Sequence, residues 1–388
     1  MDFELSEDQQ EIRRQVRALC ARFPDDYWRE RDESGVFPDE FYRAVADAGW
    51  LGVAIPREYG GSGLGITEAA LVMQTVGESG GGTQACSSIH LGMFGLEPLI
   101  KYGTESAKRK HLPRILSGEI HVSFAVTEPD AGTNTTEITT TARRDGDDWV
   151  IHGRKVFITK ARESRKMLIL TRTTPIEKVA KKTDGMSLFF ADIDPGTVEV
   201  RELEKCARKS VDTNMLFIDG LRVAGEDLVG EEGKGFRYIL DGLNPERILI
   251  AAEAIGMARR AIEKAVRYAN ERIVFGRPIG MNQGIQFPLA DAAAKVETAE
   301  LMVYKAASLF DRGLPCAKEA NIAKYMAAQA ADEATDRAVQ THGGYGYIKD
   351  YDVERYWREA RLFRIAPVSQ EMVLNYIGEH VLGLPRSY

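Results

Sequence analysis

Apolar residues recur along this chain with two different periods, and the switches between them divide it into three. Near the start, Ile12, Val16, Leu19 and Cys20 share one helical stripe, which predicts a helix over residues 6–23. A loop over 33–38 and a helix over 40–48 follow. The glycine-rich run 56–65 lacks the strand-to-helix setting of a dinucleotide fingerprint and reads as a surface connection. It leads into a helix over 67–77, a loop over 79–82, and apolar helical stretches over 92–102 and 108–116. Gly118 closes this first unit, placed at residues 1–119.

Over residues 120–230 the period falls to two. Residues 138–144 and 149–152 flank Asp145-Gly146-Asp147-Asp148 and predict a β-hairpin. Residues 167–171, 186–193, 198–203 and 214–218 add strands, so the expectation is a small antiparallel sheet. The lysine-bearing run 175–184 reads as a solvated loop. Residues 231–388 return to helical spacing over 247–272, 287–309, 317–340, 353–362 and 370–380. Long helices in this order suggest an antiparallel four-helix bundle. The predicted class is therefore α+β: a helical domain, a small β-sheet domain, then a helical bundle.

Composition narrows the function. A formal net charge of -7 argues against general nucleic-acid binding, which needs a basic face. No apolar run is long enough to span a bilayer, and the first residues are acidic rather than a basic-then-apolar leader. Cys20, Cys86, Cys206 and Cys316 have no paired spacing, and the histidines form no metal-ligand cluster. These features predict a cytoplasmic protein without a metal.

Two segments carry candidate chemistry. Phe124-Ala125-Val126-Thr127-Glu128-Pro129-Asp130-Ala131-Gly132-Thr133 is answered by Gly153-Arg154-Lys155-Val156-Phe157-Ile158-Thr159. Both combine small or hydroxyl residues with an aromatic, which suits a flat heteroaromatic ring bonded at its edge and covered on its face. A strand edge, a turn and a second strand would produce the same letters.

With this architecture around them, the motifs resemble those of the acyl-CoA dehydrogenase family of flavoproteins, over nearly the whole length. The resemblance implies FAD, with Phe124, Val126 and Thr127 at its ring. It places Phe157 over one ring face, where tryptophan is common in the family, Thr159 near N5, and Ile158 in the same segment around the ring. Thr133 stands for the usual serine near the flavin and the CoA moiety. Arg272-Ile273-Val274-Phe275-Gly276, Gln283, and Gln340 with Gly343 and Gly344 match the segments that reach the pyrophosphate and adenine across a subunit interface. Gln370, in the late loop, belongs to the same cofactor set.

Dehydrogenating an acyl thioester requires a carboxylate against the α-proton, in surroundings that raise its pKa. Most of the family carries it in a loop near the C-terminus; isovaleryl-type and long-chain-type members carry it on the first bundle helix. Here the loop reads Arg364-Ile365-Ala366-Pro367-Val368-Ser369, with Ala366 at the common position. The alternative position is Glu246, within Asn244-Pro245-Glu246-Arg247. Asn244 as N-cap, Pro245 at N1 and Glu246 in the first turn would equally make an ordinary helix start. By resemblance, Arg247 and Asn244 lie toward substrate, and the Ala366 N–H points at the thioester oxygen. Gly242 and Gly256 either widen an acyl cavity or mark a bend or a packing contact.

The resemblance implies an enzyme forming trans-2-enoyl-CoA, with an electron-transferring flavoprotein as acceptor and a homotetramer built as a dimer of dimers. A flavin oxidase on the same fold and a non-catalytic flavin- or acyl-CoA-binding subunit are the alternatives.

Overall fold

The computed structural model describes residues 4–93 and 95–387. The acidic opening at Met1, Asp2 and Phe3, and Phe94 in the expected stretch 92–102, lie outside the described residues, as does Tyr388. Helix α1 (Glu7–Cys20) buries the predicted stripe and opens on a reciprocal cap between Ser6 and Gln9. Helix α2 (Asp25–Ser34) falls where no helix is predicted. Nearly all its residues are polar, and it is anchored by one fully buried side chain, Trp28, edge-on to Tyr27 and Phe41. Helices α3 (Asp39–Asp47) and α4 (Ile66–Val76) follow.

The loop expected over 79–82 is instead a π-type turn with Gly80 at φ 98°, running straight into α5 (Gly82–Met93). Every residue of α5 is buried, so it shows no amphipathic stripe to read. Short helices α6 (Glu97–Tyr102) and α7 (Glu105–Leu116) complete the first helical unit.

The sheet contains β1 (Val122–Ala125), β2 (Thr141–Asp145), β3 (Asp148–Thr159), β4 (Lys166–Arg172), β5 (Met186–Asp192), β6 (Val198–Glu202), β7 (Thr213–Val223) and β8 (Leu228–Val229). Its order is β6-β7-β3-β2-β4-β5-β8, with β1 beside β4. The β2–β3 hairpin forms as predicted. The sheet is mixed rather than antiparallel: β1 runs parallel to β4, and β2 meets β4 in parallel at Thr141 and Arg172. A parallel neighbour needs a long connection, and the excursion 126–140 supplies part of it. That excursion carries the candidate motif.

The last part holds α8 (Gly235–Glu271), a short ribbon of β9 (Ile273–Val274) and β10 (Arg277–Pro278), α9 (Gln283–Asp311), α10 (Ala317–His342), α11 (Val353–Ala360) and α12 (Gln370–Tyr376). Helix α8 packs on α10, α9 and α4. It begins at Gly235, twelve residues before the predicted 247, and passes through Asn244-Pro245. These two residues are therefore not a cap; Pro245 is buried inside the helix. One apolar cluster joins both helical units, whereas the sheet keeps a second cluster around Trp149, Ile158, Phe189 and Leu216.

Gly256 is a packing contact. A Cβ there would collide with the Gln74 carbonyl, and one at Gly77, on the facing segment, would come within 2.9 Å of the Glu253 carbonyl on α8. Gly242 instead meets Pro98 and Glu97 at ordinary distance, 3.6 and 3.8 Å from a built Cβ. Gly256→Ala is therefore expected to destabilise by about 1–3 kcal/mol through overpacking. Gly242→Ala should be neutral or slightly stabilising, because alanine is the better helix former. Thermal melts of the two variants against the parent would show this contrast.

Candidate functional site

Glu246 lies about three turns inside α8, counting from Gly235. That is beyond the first turn, where the helix dipole acts, so the helix-start reading of this residue fails. Its side chain is buried, and burial pushes its carboxyl up to about 7; Arg247 and Lys324 pull the other way, and Glu253 adds to the rise. Arg247 donates to Asn244 Oδ1 at 3.3 Å, while its buried Nε has no partner among the described residues. Burial lowers the Arg247 pKa, and Glu246, Tyr376 and Cys316 offset this. Helix α12 and the entry to α10 thus face the same spot.

Lys324 was not foreseen. It sits in the alanine-rich α10, is 1% exposed, and donates to the Val368 carbonyl at 2.5 Å. Burial brings its pKa down to about 8. It therefore stands between Glu246 and the late loop, as a cation that touches both electrostatically or directly. The expectation for Ala366 needs correction: its N–H donates to the Leu362 carbonyl at 2.9 Å, closing the helical turn before the loop. A thioester oxygen would find that donor taken. Gln370 is also engaged within the chain, its Oε1 accepting from Arg364 Nε at 2.9 Å and Gln329 Nε2 at 2.8 Å.

The two motif segments come together through a buried ion pair. Lys155, fully buried, donates to Glu128 Oε1 and to the Val126 carbonyl, both at 2.9 Å. Glu128 also accepts from the Thr139 N–H at 2.7 Å and the Thr140 N–H at 3.0 Å. Burial lowers the Lys155 pKa to about 8. Burial alone would raise Glu128, yet Lys155, Thr140 and Thr139 together hold it below its ordinary value. Thr127 adds a second tie: its carbonyl accepts from the Val156 N–H at 2.9 Å, and its hydroxyl donates to the Val156 carbonyl at 2.5 Å.

These ties border a β-bulge between Lys155 and Ile158. There Phe157 takes φ 60° and stands 69% exposed, off the sheet. Ile158 turns into the sheet's own core at 1% exposure, so it offers only its backbone, and its carbonyl already accepts from Asn214 Nδ2. Thr159 is half-buried, with Arg208 Nη2 3.5 Å from its hydroxyl. Arg208 is a second unforeseen residue: buried, it also donates to Ser87 Oγ at 3.0 Å and Thr213 Oγ1 at 2.8 Å, knotting α5 to β3 and β7. Phe124 and Val126 are half-buried against the main apolar cluster, and Thr133 is exposed.

The remaining predicted residues gather at the far end of α8. Arg272 is exposed, with its guanidinium 5.7 Å over the Tyr345 ring. This puts it beside the turn of Gly343 and Gly344, where a Cβ would meet open space. Gly343 has φ 60° and ψ -132°, a conformation for glycine alone. Phe275 is fully exposed, and Gln283 and Gln340 are exposed. From Glu246 to Arg272 the helix rises about 39 Å, so these residues lie far from that buried carboxyl. Each group by itself fits its half of FAD: an exposed aromatic beside a stapled backbone at one end, and an exposed guanidinium on Tyr345 beside a bare glycine turn at the other.

A cleft of about 750 Å³ borders α8 beside Pro245, with Met93, Glu97, Ile100, Ile55 and Leu64 among its walls. Among the described residues no group of histidine, cysteine, aspartate or glutamate is arranged to hold a metal ion. No described helix is long and apolar enough to cross a membrane.

The Glu128–Lys155 pair yields a test. Lys155→Met leaves a buried carboxylate without its cation, which should cost about 3–5 kcal/mol. The variant is expected to melt lower and to retain less FAD than the parent, as read by calorimetry and by flavin absorbance per chain.

Three family models match in series: acyl-CoA dehydrogenase N-terminal domain over residues 6–119, middle domain over 123–221 and C-terminal domain over 233–382. The chain is similar to acyl-CoA dehydrogenase FadE12 of Mycobacterium tuberculosis, 39% identical over 99% of this chain and 98% of the relative. It is 37% identical to the caffeyl-CoA reductase–Etf complex subunit CarC of Acetobacterium woodii, over 89% and 91% of the two chains. The structure of butyryl-CoA dehydrogenase from Megasphaera elsdenii superposes with a TM-score of 0.93 at 29% identity, covering 98% of this chain and 100% of that one.

Proposed function

Because the chain belongs to the acyl-CoA dehydrogenase family and is an FAD-dependent oxidoreductase of it, we propose that it converts an acyl-CoA thioester to the trans-2-enoyl-CoA with Glu246 as base. FAD, when bound, accepts the β-hydride. The observation that carries this reading is a buried carboxyl on α8 poised near neutral pH, opposite a loop whose Ala366 offers no carboxylate. In its ionised form Glu246 takes the α-proton. Lys324 and Arg247 hold positive charge beside it, which offsets the anion left in an apolar site. The unpartnered Nε of Arg247, with Asn244 beside it, faces substrate, and exposed Thr133 lies toward the CoA moiety.

At the flavin, Phe157 covers a ring face, while Phe124, Val126, Thr127, the Ile158 backbone and Thr159 border the ring. Arg272, Phe275, Gln283, Gln340, Gly343 and Gly344 serve the pyrophosphate and adenine of a neighbouring copy. The separation along α8 favours this division between copies, and a homotetramer built from dimers is the assembly proposed with it. Gln370 joins the cofactor set only through the loop it braces. An electron-transferring flavoprotein is the proposed acceptor, in keeping with the Etf complex named for the Acetobacterium relative. The free cysteines support a reducing, cytoplasmic setting.

Anaerobic mixing with a panel of straight, branched and aryl-substituted acyl-CoAs tests the reaction class. One ester should bleach the flavin band, and none doing so would contradict the reading. Glu246→Gln, folded and flavinated, should reduce its flavin at least about 10²-fold more slowly. Since only the ionised base acts, kcat/KM should rise with pH through a midpoint near 7, the value to which burial lifts Glu246. A midpoint at the ordinary carboxylate value would contradict the burial argument.

A further inference from the structure

Behind Glu246, the same face of α8 carries a second buried carboxylate. Glu253 lies seven residues on, about 10.5 Å along the axis and within about 20° of the same face. It is 2% exposed, and its Oε1 is 3.0 Å from Nδ1 of His90 on α5, itself buried at 7%. Leu249 and Ile250, three and four residues after Glu246, fall between the two positions on that face by helical spacing, and both are buried. Both charges are thus withdrawn from bulk solvent, where screening between them is weaker than at the surface.

Helix α5 links this pair to the ring-side residues. Ser87, one turn before His90, holds Arg208, which reaches Thr159. The charged and titratable groups around the two carboxylates come from every packed element. From α5, His90 and the thiol of Cys86 face Glu253; from the β-domain, Arg208 does so. Glu359 on α11 acts on Cys86 and Arg208. Facing Glu246 are Arg247 from its own helix and Lys324 from α10. Neither of those two cations bonds Glu253.

We propose that Glu253, held in place by His90, is a positioning residue for the base: its charge, two turns along one face of α8, raises the pH at which Glu246 can take the α-proton. The inference rests on Glu246 being the base. Burial of Glu246 is the larger influence, and Glu253 adds to it in the same direction. Removing the Glu253 charge should leave the base ionised at lower pH.

The test uses the FAD-loaded enzyme with a 3-thia-acyl-CoA. Sulfur at the β-position leaves no hydride to transfer, so α-proton exchange with D₂O is read alone. Glu253→Gln keeps the shape and a hydrogen-bonding partner for His90. Its exchange midpoint should fall by at least about half a pH unit, about threefold in rate on the acid limb. Glu253→Asp keeps the charge and should keep the parent midpoint. If the glutamine variant does not fold, the double replacement of His90→Leu and Glu253→Leu removes both polar partners together and should show the same fall.

An unmoved midpoint in folded Glu253→Gln overturns the inference. So does an equal shift in Glu253→Asp, which would mark a packing effect instead of charge. Glu246→Gln separates the two readings: parent-like exchange there removes Glu246 as base, whatever Glu253 does.

Discussion

Keeping one carboxyl out of water is the constraint on which the rest of the arrangement depends. A glutamate in an apolar site costs free energy when ionised, and the cost grows with every contact that excludes solvent. Glu246 is placed in the interior of a long helix, where its backbone is already satisfied and neighbouring elements can close over it. Helix α10 brings Lys324, and the same lysine holds the carbonyl of Val368. The late loop, the bundle and the proposed base are therefore one unit. Arg247 completes the balance, with a buried donor still available to a ligand.

The ring-side half of the site is built by a different device. A chain excursion between two parallel neighbours cannot be held by sheet hydrogen bonds alone. Here a buried lysine and glutamate, together with Thr127, fasten it to β3 just before a bulge. The bulge turns Phe157 outward and Ile158 inward, so one irregularity sets both the exposed aromatic and the sheet core. The other half of the predicted cofactor set lies at the opposite end of α8.

The long bundle helices and the β2–β3 hairpin were legible because burial on one side leaves a period in the letters. Helix α5 was not, because a helix buried all round has no polar face. Helix α2 was hidden for the opposite reason: Trp28 is its one buried apolar side chain, and polar ties such as Asp32 to Arg358 and Arg29 to Asp352 hold the rest. The start of α8 was misplaced because Asn244-Pro245 is a common helix opening, and local chemistry does not reveal that a preceding turn packs against the sheet. Glu246 was legible as a candidate through its neighbours and through Ala366. The burial of Lys155, Lys324 and Arg208 was not legible, since only the fold shows that each is enclosed among partners. The engagement of the Ala366 N–H could not be read at all, because it depends on the turn that ends at Leu362.

The central claim is that Glu246 is a buried acid poised near neutrality, and its own ionisation can be observed. Infrared difference spectra of the folded, FAD-loaded protein from pH 5 to 9, with Glu246→Gln as the blank, isolate its carboxyl band. The account predicts a protonated carboxyl at the acid end that is lost around pH 7, the value its burial implies. A carboxylate already ionised at pH 5 would contradict it.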